Sequence, residues 1–228
     1  MKKLKPIILV LFILLLVSVG FNFYRDVPPS KSDSFQSSSV AFPEIGSFML
    51  QVNGQPADWL GVPLEGKKLL EPINVIIIDK LAKSEKEAIE NLEAAMIKAG
   101  FPARTGHSAD YQGLINNKSY PQLPEGKHLA FSDGHFEFDN DHGRVFGPDY
   151  YNNKYYFVAA FSREDIVLRG GVGHSFNSFN KARDQVAKKL DTLSEFNIID
   201  FLPLKNYIVN NSNQTTGDHD GIAVVLSN

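Results

Sequence analysis

The sequence predicts an α+β protein: one domain at residues 47–228, with two main helices packed on a mixed β-sheet, behind an N-terminal transmembrane or signal helix. Three observations carry this. Ile73 to Ile78, interrupted by Asn74 alone, is a run of β-branched apolar residues, as expected of a strand buried on both faces. A capped helical pattern follows it, and a second helical pattern, Phe179 to Leu193, returns near the end. Between the two, turn residues cut the chain into short β-patterned runs.

At the start of the chain, Lys2, Lys3 and Lys5 precede an apolar stretch from Ile7 to Val17 that extends to Phe21. This basic-then-apolar order is the one read by export machinery. At a rise of about 1.5 Å per residue, residues 6–24 are long enough to cross a hydrocarbon core of roughly 30 Å. The lysines would stay in the cytoplasm. Phe21-Asn22-Phe23-Tyr24-Arg25 has the form of an aromatic belt ending in a basic residue, which favours an uncleaved anchor. Ser18 and Gly20 at the −3 and −1 positions support the alternative, a cleaved signal. Residues 1–25 are therefore expected to be a transmembrane anchor or signal peptide. A single-pass protein of the cell membrane follows, with residues 30–228 extracytoplasmic, or secreted if cleavage occurs. Residues 26–46, rich in Pro, Ser and Asp, read as a flexible linker.

Ser47 to Val52 runs into Asn53-Gly54, a turn signal. After Ile73 to Ile78, Ser84 offers an N-cap with Glu87 three residues on, a capping box. Ile89, Leu92, Met96 and Ala99 share one helical face before Gly100 closes the helix. His128 to Phe131 and His135 to Phe138 read as two arms of a hairpin around Ser132-Asp133-Gly134. His142 to Phe146 and Tyr155 to Phe161 flank a second turn, and Arg163 to Leu168 extends the latter strand. The glycine cluster Gly170-Gly171-Val172-Gly173 leads into the second helix, whose apolar positions include Phe179, Ala182, Val186 and Leu190. Asn210 to Thr216 reads as a polar loop, and Ile222 to Leu226 as a short buried strand behind Asp220-Gly221. Five to seven strands are expected.

Composition excludes several functions. The chain has no cysteine, which removes lipidation at a cleavage-site Cys, disulfides and thiolate catalysis. Without the three leading lysines the basic residues fall from 23 to 20 against 26 acidic ones. That balance argues against nucleic acid as a partner. Gly-x-Ser-x-Gly is absent, and the glycine cluster fits neither a Walker loop nor a dinucleotide fingerprint.

The sharpest local feature is His142-x-Arg144. On a strand, residues two apart share a face, so an imidazole and a guanidinium project side by side and suit phosphate or carboxylate. His174 follows the glycine cluster just upstream of a helix, where free backbone N–H groups favour anions. With Arg163 and Arg183 these residues form a candidate anionic-ligand pocket: His142, Arg144, Arg163, His174 and Arg183. The competing reading makes them structural, with Arg183 paired to Asp or Glu. Glu137, Asp139, Asp141 and His142, like Asp218-His219-Asp220, carry metal-ligand types but no recognised spacing, so neither metal nor cofactor is expected.

Several segments, in this order, resemble the C-terminal domain of LssY-type bacterial membrane proteins. They are Pro72-Ile73-Asn74-Val75-Ile76-Ile77 with Ala99-Gly100-Phe101, Asp141-His142-Gly143-Arg144-Val145-Phe146, and Ala159-Ala160-Phe161-Ser162-Arg163-Glu164. His174, Asn180-Lys181-Ala182-Arg183-Asp184 and Asp220-Gly221-Ile222-Ala223-Val224-Val225 complete the series. The chain departs from the family pattern in carrying Asn177 and Asn180 where acids are expected, and Phe146 where Trp is expected. The resemblance implies an accessory role in the envelope and transfers no activity. The functional expectation is a membrane-tethered extracytoplasmic binding module, with an envelope protein, a lipid or an anionic ligand as partner. The alternative is a phosphoester hydrolase built on the His/Arg cluster.

Overall fold

Val75–Asp79 is buried along its whole length because it lies inside the sheet with covered faces on both sides. The computed structural model describes residues 42–61, 63–167, 173–209 and 211–228. The expected anchor, and the linker up to residue 41, lie outside these residues. Among the described residues no helix is long and apolar enough to cross a membrane.

In chain order the elements are β1 (Leu50–Gln51), β2 (Lys68–Leu69), β3 (Val75–Asp79), α1 (Glu85–Lys98), β4 (Ala103–Arg104), β5 (Tyr111–Ile115), β6 (Lys118–Leu123) and β7 (Ala130–Ser132). They continue with β8 (Asn140–Tyr151), β9 (Lys154–Val167), β10 (Gly173–Ser178), α2 (Phe179–Leu193), β11 (Asn197–Pro203), β12 (Gln214–Thr215) and β13 (Ile222–Ser227). The main sheet runs β1-β5-β6-β8-β9-β3-β13-β11, with β10 added to β9 and β7 to β8. It is mixed: β3 lies parallel to β13 and antiparallel to β9. The α+β class and the two helices stand as expected.

The period-two alternation of strands divides the core in two. Val145, Phe157, Ala159 and Phe161 face the helices, meeting Leu92 and Met96 of α1 and Val186 and Leu190 of α2. Phe146, Tyr156, Val158 and Ala160 point the other way, onto Met49, Ile73, Tyr111 and Ile115. Both helix starts are capped by serine: Ser84 Oγ accepts the Glu87 N–H at 3.2 Å, and Ser178 Oγ accepts that of Lys181 at 2.9 Å. The Glu87 carboxylate accepts from Lys83 N rather than from Ser84, so the capping box closes one residue early.

Four features differ from the sequence reading. His135 to Phe138 is a turn, with Phe138 N–H bonded to His135 O at 3.0 Å, and β7 pairs with β8 instead. The turn after β8 shrinks to Asn152-Asn153, both left-handed, because β8 continues past a bulge between Phe146 and Asp149. A strand, β10, stands between the glycine cluster and α2; residues 168–172 of that region lie outside the description. The main sheet holds eleven strands among the described residues, above the five to seven expected. Part of that excess is the β5–β6 hairpin, turned by Asn116-Asn117 with φ of 51° and 59°.

Phe42 to Gly46 is already tied to this unit. Ile45 bridges to Ile115, and Gly46 N–H bonds Leu114 O at 2.9 Å.

Candidate functional site

The register of β8 on β9 sets Asn140 opposite Glu164, His142 opposite Ser162 and Arg144 opposite Ala160. These residues share the face that turns away from the helices. β10 extends the ladder, placing Phe176 opposite Glu164 and His174 two pairs further along, opposite Ile166. Trp59, Glu71 and His107 arrive from elsewhere in the chain and close a cavity of about 440 Å³. Its lining includes Trp59, Glu71, His107, Ser108, Phe136, His142, Arg144, Glu164 and His174.

Arg144 forms part of the floor, only 2% exposed. Its Nη2 donates to Ser108 O at 3.0 Å and to Ser108 Oγ at 3.1 Å, and its Nε is buried with no hydrogen-bond partner. The guanidinium lies 5.2 Å from the Tyr111 ring centre. Among the described residues no carboxylate comes within ion-pair distance of it. A cation taken out of water without a counter-ion is costly, and here the field of Glu71 and Glu164 reaches it only from farther away.

Those two carboxyls are strained toward protonation. Burial pushes Glu71 up to about 7; Arg144 pulls it down and Glu164 pushes it up. Burial likewise raises Glu164, opposed by the Trp59 hydrogen bond and the charges of His174 and Arg144. Trp59 Nε1 donates to Glu164 Oε1 at 2.8 Å. The imidazoles behave oppositely. Burial, then Arg144, hold His107 down to about 4, and the same two causes hold His142 well below its ordinary value. Near neutral pH, therefore, Arg144 is a fixed cation in the pocket, His107 and His142 are uncharged, and Glu71 is close to half-titrated.

The walls are flat rings. His107 stacks on His142 with centres 4.5 Å apart, and Phe136 stacks on His174 at 4.2 Å. Gly61 is required beside Trp59, because a Cβ there would lie 1.7 Å from the indole. Gly106, at φ +102°, brings the chain across Phe136, whose Cβ would be 2.7 Å from any added side chain.

Of the five residues singled out from sequence, the fold gathers His142, Arg144 and His174 at this cavity. Arg163 and Arg183 are elsewhere. Arg163 projects from the opposite face of β9, where its Nη1 meets Asp141 Oδ1 at 3.3 Å and its Nε lies 3.6 Å from Asp165. Arg183 is held on α2 by Asp220 at 2.7 Å, Asp184 at 2.8 Å and Ile222 O at 3.0 Å. The helix start near His174 is not open to an anion either: Asp218 occupies it, accepting from Phe179 N at 2.8 Å and from the Ser178 hydroxyl.

The acidic clusters weighed as metal ligands have other work. Asp139 accepts from Ile166 N, Asp220 pairs with Arg183, and His219 Nε2 meets Asn206 Oδ1 at 2.8 Å. Among the described residues no group of three His, Asp or Glu side chains is placed to hold a metal ion.

Trp59, Glu71, His107 and Glu164 were not foreseen. Glu164 had a signal, since it continues the even-numbered face of Ser162, but the others reach the site through long-range packing that no local pattern announces. No protein-family model, curated protein or solved structure matches this chain.

Proposed function

We propose that the chain is a membrane-tethered, extracytoplasmic binding module whose cavity takes a small molecule through an anionic group seated on Arg144. The tether reading rests on the basic-then-apolar segment at residues 2–24, and the LssY-like segments favour an accessory role in the envelope. One observation carries the ligand reading: a guanidinium 2% exposed, bordering a cavity, with a buried Nε unpartnered and no carboxylate in contact among the described residues. An arriving anion supplies the missing counter-charge through charge-assisted hydrogen bonds. Three carboxyls, Glu71, Glu137 and Glu164, border the same cavity, so the anion is better accommodated when Glu71 keeps its proton, which burial already favours near pH 7.

The alternative, phosphoester hydrolysis by a His/Arg cluster, loses Arg183, which is neutralised outside the cavity. Binding is therefore the better reading. Its test is a thermal-shift and fluorescence titration of the full chain in detergent with inorganic phosphate. Saturable binding is expected in the parent, and none in Arg144→Leu. Equal binding in both removes Arg144 from the site and the reading with it.

A further inference from the structure

The two ends of the cavity have opposite hydrogen-bonding chemistry. At the Arg144 end the guanidinium offers donors. At the other end acceptors crowd together. Asn140 Nδ2 donates to Phe138 O at 2.9 Å, which turns its Oδ1 toward His142 Nδ1 at 3.0 Å. That nitrogen must then carry the ring proton, leaving His142 Nε2 as a lone pair in the neutral imidazole.

The bare nitrogen faces Glu164 Oε1, another acceptor, across 3.6 Å. Glu164 Oε2 lies 3.0 Å from His174 Nδ1, within ion-pair range, yet that buried nitrogen has no well-formed hydrogen bond. His107 Nε2 is likewise buried and unpartnered. Orphaned polar atoms of this kind are costly in a folded interior, and among the described residues three border one cavity here: His107 Nε2, Arg144 Nε and His174 Nδ1.

A hydroxyl group satisfies such a mixture because it donates and accepts at once. It gives its proton to His142 Nε2 or Glu164 and takes one from an imidazole N–H. The stacked rings of Phe136 and His174, and of His107 and His142, add the flat apolar walls against which the C–H face of a sugar packs. The cavity, about 440 Å³, is of the size that encloses a small ligand.

We infer that the ligand is a polyhydroxylated anion of the sugar-phosphate or sugar-acid class, with its anionic group on Arg144 and its hydroxyls between His142, Glu164 and His174. This rests on the anion reading above. A free sugar phosphate and the phosphorylated, hydroxylated headgroup of a lipid share this chemistry.

Trp59 is the only tryptophan of the chain and donates to Glu164, so its fluorescence reports on the hydroxyl end directly. The full chain in detergent is titrated with glucose 6-phosphate, glucuronate, inorganic phosphate and glucose. It is also reconstituted into vesicles with and without phosphatidylglycerol. The expected result is that a hydroxylated anion binds at least about tenfold more tightly than phosphate, one well-made polar contact's worth, while glucose alone does not bind. A response to the two soluble sugar anions identifies a free ligand, and a response confined to phosphatidylglycerol vesicles identifies a headgroup. Glu164→Gln should bring the hydroxylated anion down to the level of phosphate. His174→Ala, at a less buried position, should do the same if Glu164→Gln fails to fold. Phosphate binding as tightly as glucose 6-phosphate in the parent overturns the hydroxyl assignment and leaves the anion reading intact. Loss of all Arg144-dependent binding, phosphate included, overturns both.

Discussion

The two faces of the β8–β9 ladder are built from alternate residues of the same strands and treat charge in opposite ways. On the helix side, Asp141 and Arg163 stand directly opposite one another and pair, and Lys189 of α2 reaches Asp133 at 3.2 Å. On the other side Arg144, one residue from Val145 and two from His142, is more deeply buried than Arg163, and among the described residues its polar contacts are Ser108 and the face of Tyr111. Paired buried charges are common scaffolding. A buried cation facing a cavity beside Glu71, a carboxyl close to half-protonated at neutral pH, costs stability, and such arrangements cluster at functional sites. Of the three arginines compared, Arg163 and Arg183 are neutralised within the scaffold, and Arg144, with no carboxylate in contact among the described residues, is the one on which the proposed site rests.

The comparison is broken most sharply through Glu71. Its folded value, about 7, exceeds the ordinary 4.5. The folded state thus holds a proton that the unfolded chain releases, and stability falls as pH rises from 4.5 to 7. Glu71→Gln should remove that loss, gaining about 3 kcal/mol over the parent at pH 8 and nothing near pH 4.5. Urea unfolding at the two pH values checks it; parallel pH profiles would contradict it. His107 acts with the opposite sign. Its folded value, about 4, lies below 6.5, so its contribution is present above 6.5 and lost as pH falls toward 4. His107→Gln should flatten the acid limb of the same profile.

Exchanging the arginines comes next in size. Arg183→Leu leaves Ile222 O and two aspartates without their partner and should cost about 2 kcal/mol, while anion binding survives. Arg144→Leu should do the reverse, shifting stability by less than about 1 kcal/mol and abolishing binding. If both variants lose stability equally and binding together, the two faces are not functionally distinct. Smaller still, Lys189→Met removes a partly exposed pair on the helix side and should change stability by less than about 1 kcal/mol with no effect on the cavity. A change in Trp59 fluorescence in that variant would show that the faces communicate.

The parts legible in the sequence were those written in local periodicity. Val75 to Ile78, the Ser84 cap, the α2 stretch from Phe179 and the shared face of His142 and Arg144 all follow from spacing within a few residues. The Asn116-Asn117 turn was equally local, but two asparagines followed by Lys and Ser resemble a polar loop unless their left-handed φ is known. The site's other half was not local. Trp59 and Glu164 meet across 105 residues, and Glu71 joins them through a segment that precedes its strand. Arg163 and Arg183 looked equivalent to Arg144 because sequence does not show which face holds the acids. Asp141 opposite Arg163, and Asp220 beside Arg183, decide that only once the register is known.

The central claim concerns where an anion sits, and an anomalous-scattering oxyanion can be located directly. Crystals of the protein grown without phosphate or sulfate and soaked in selenate at neutral pH should show an anomalous peak within hydrogen-bond reach of the Arg144 guanidinium, with none at Arg163 or Arg183. An empty Arg144 cavity, with selenate at Arg163 or Arg183 instead, would contradict the account.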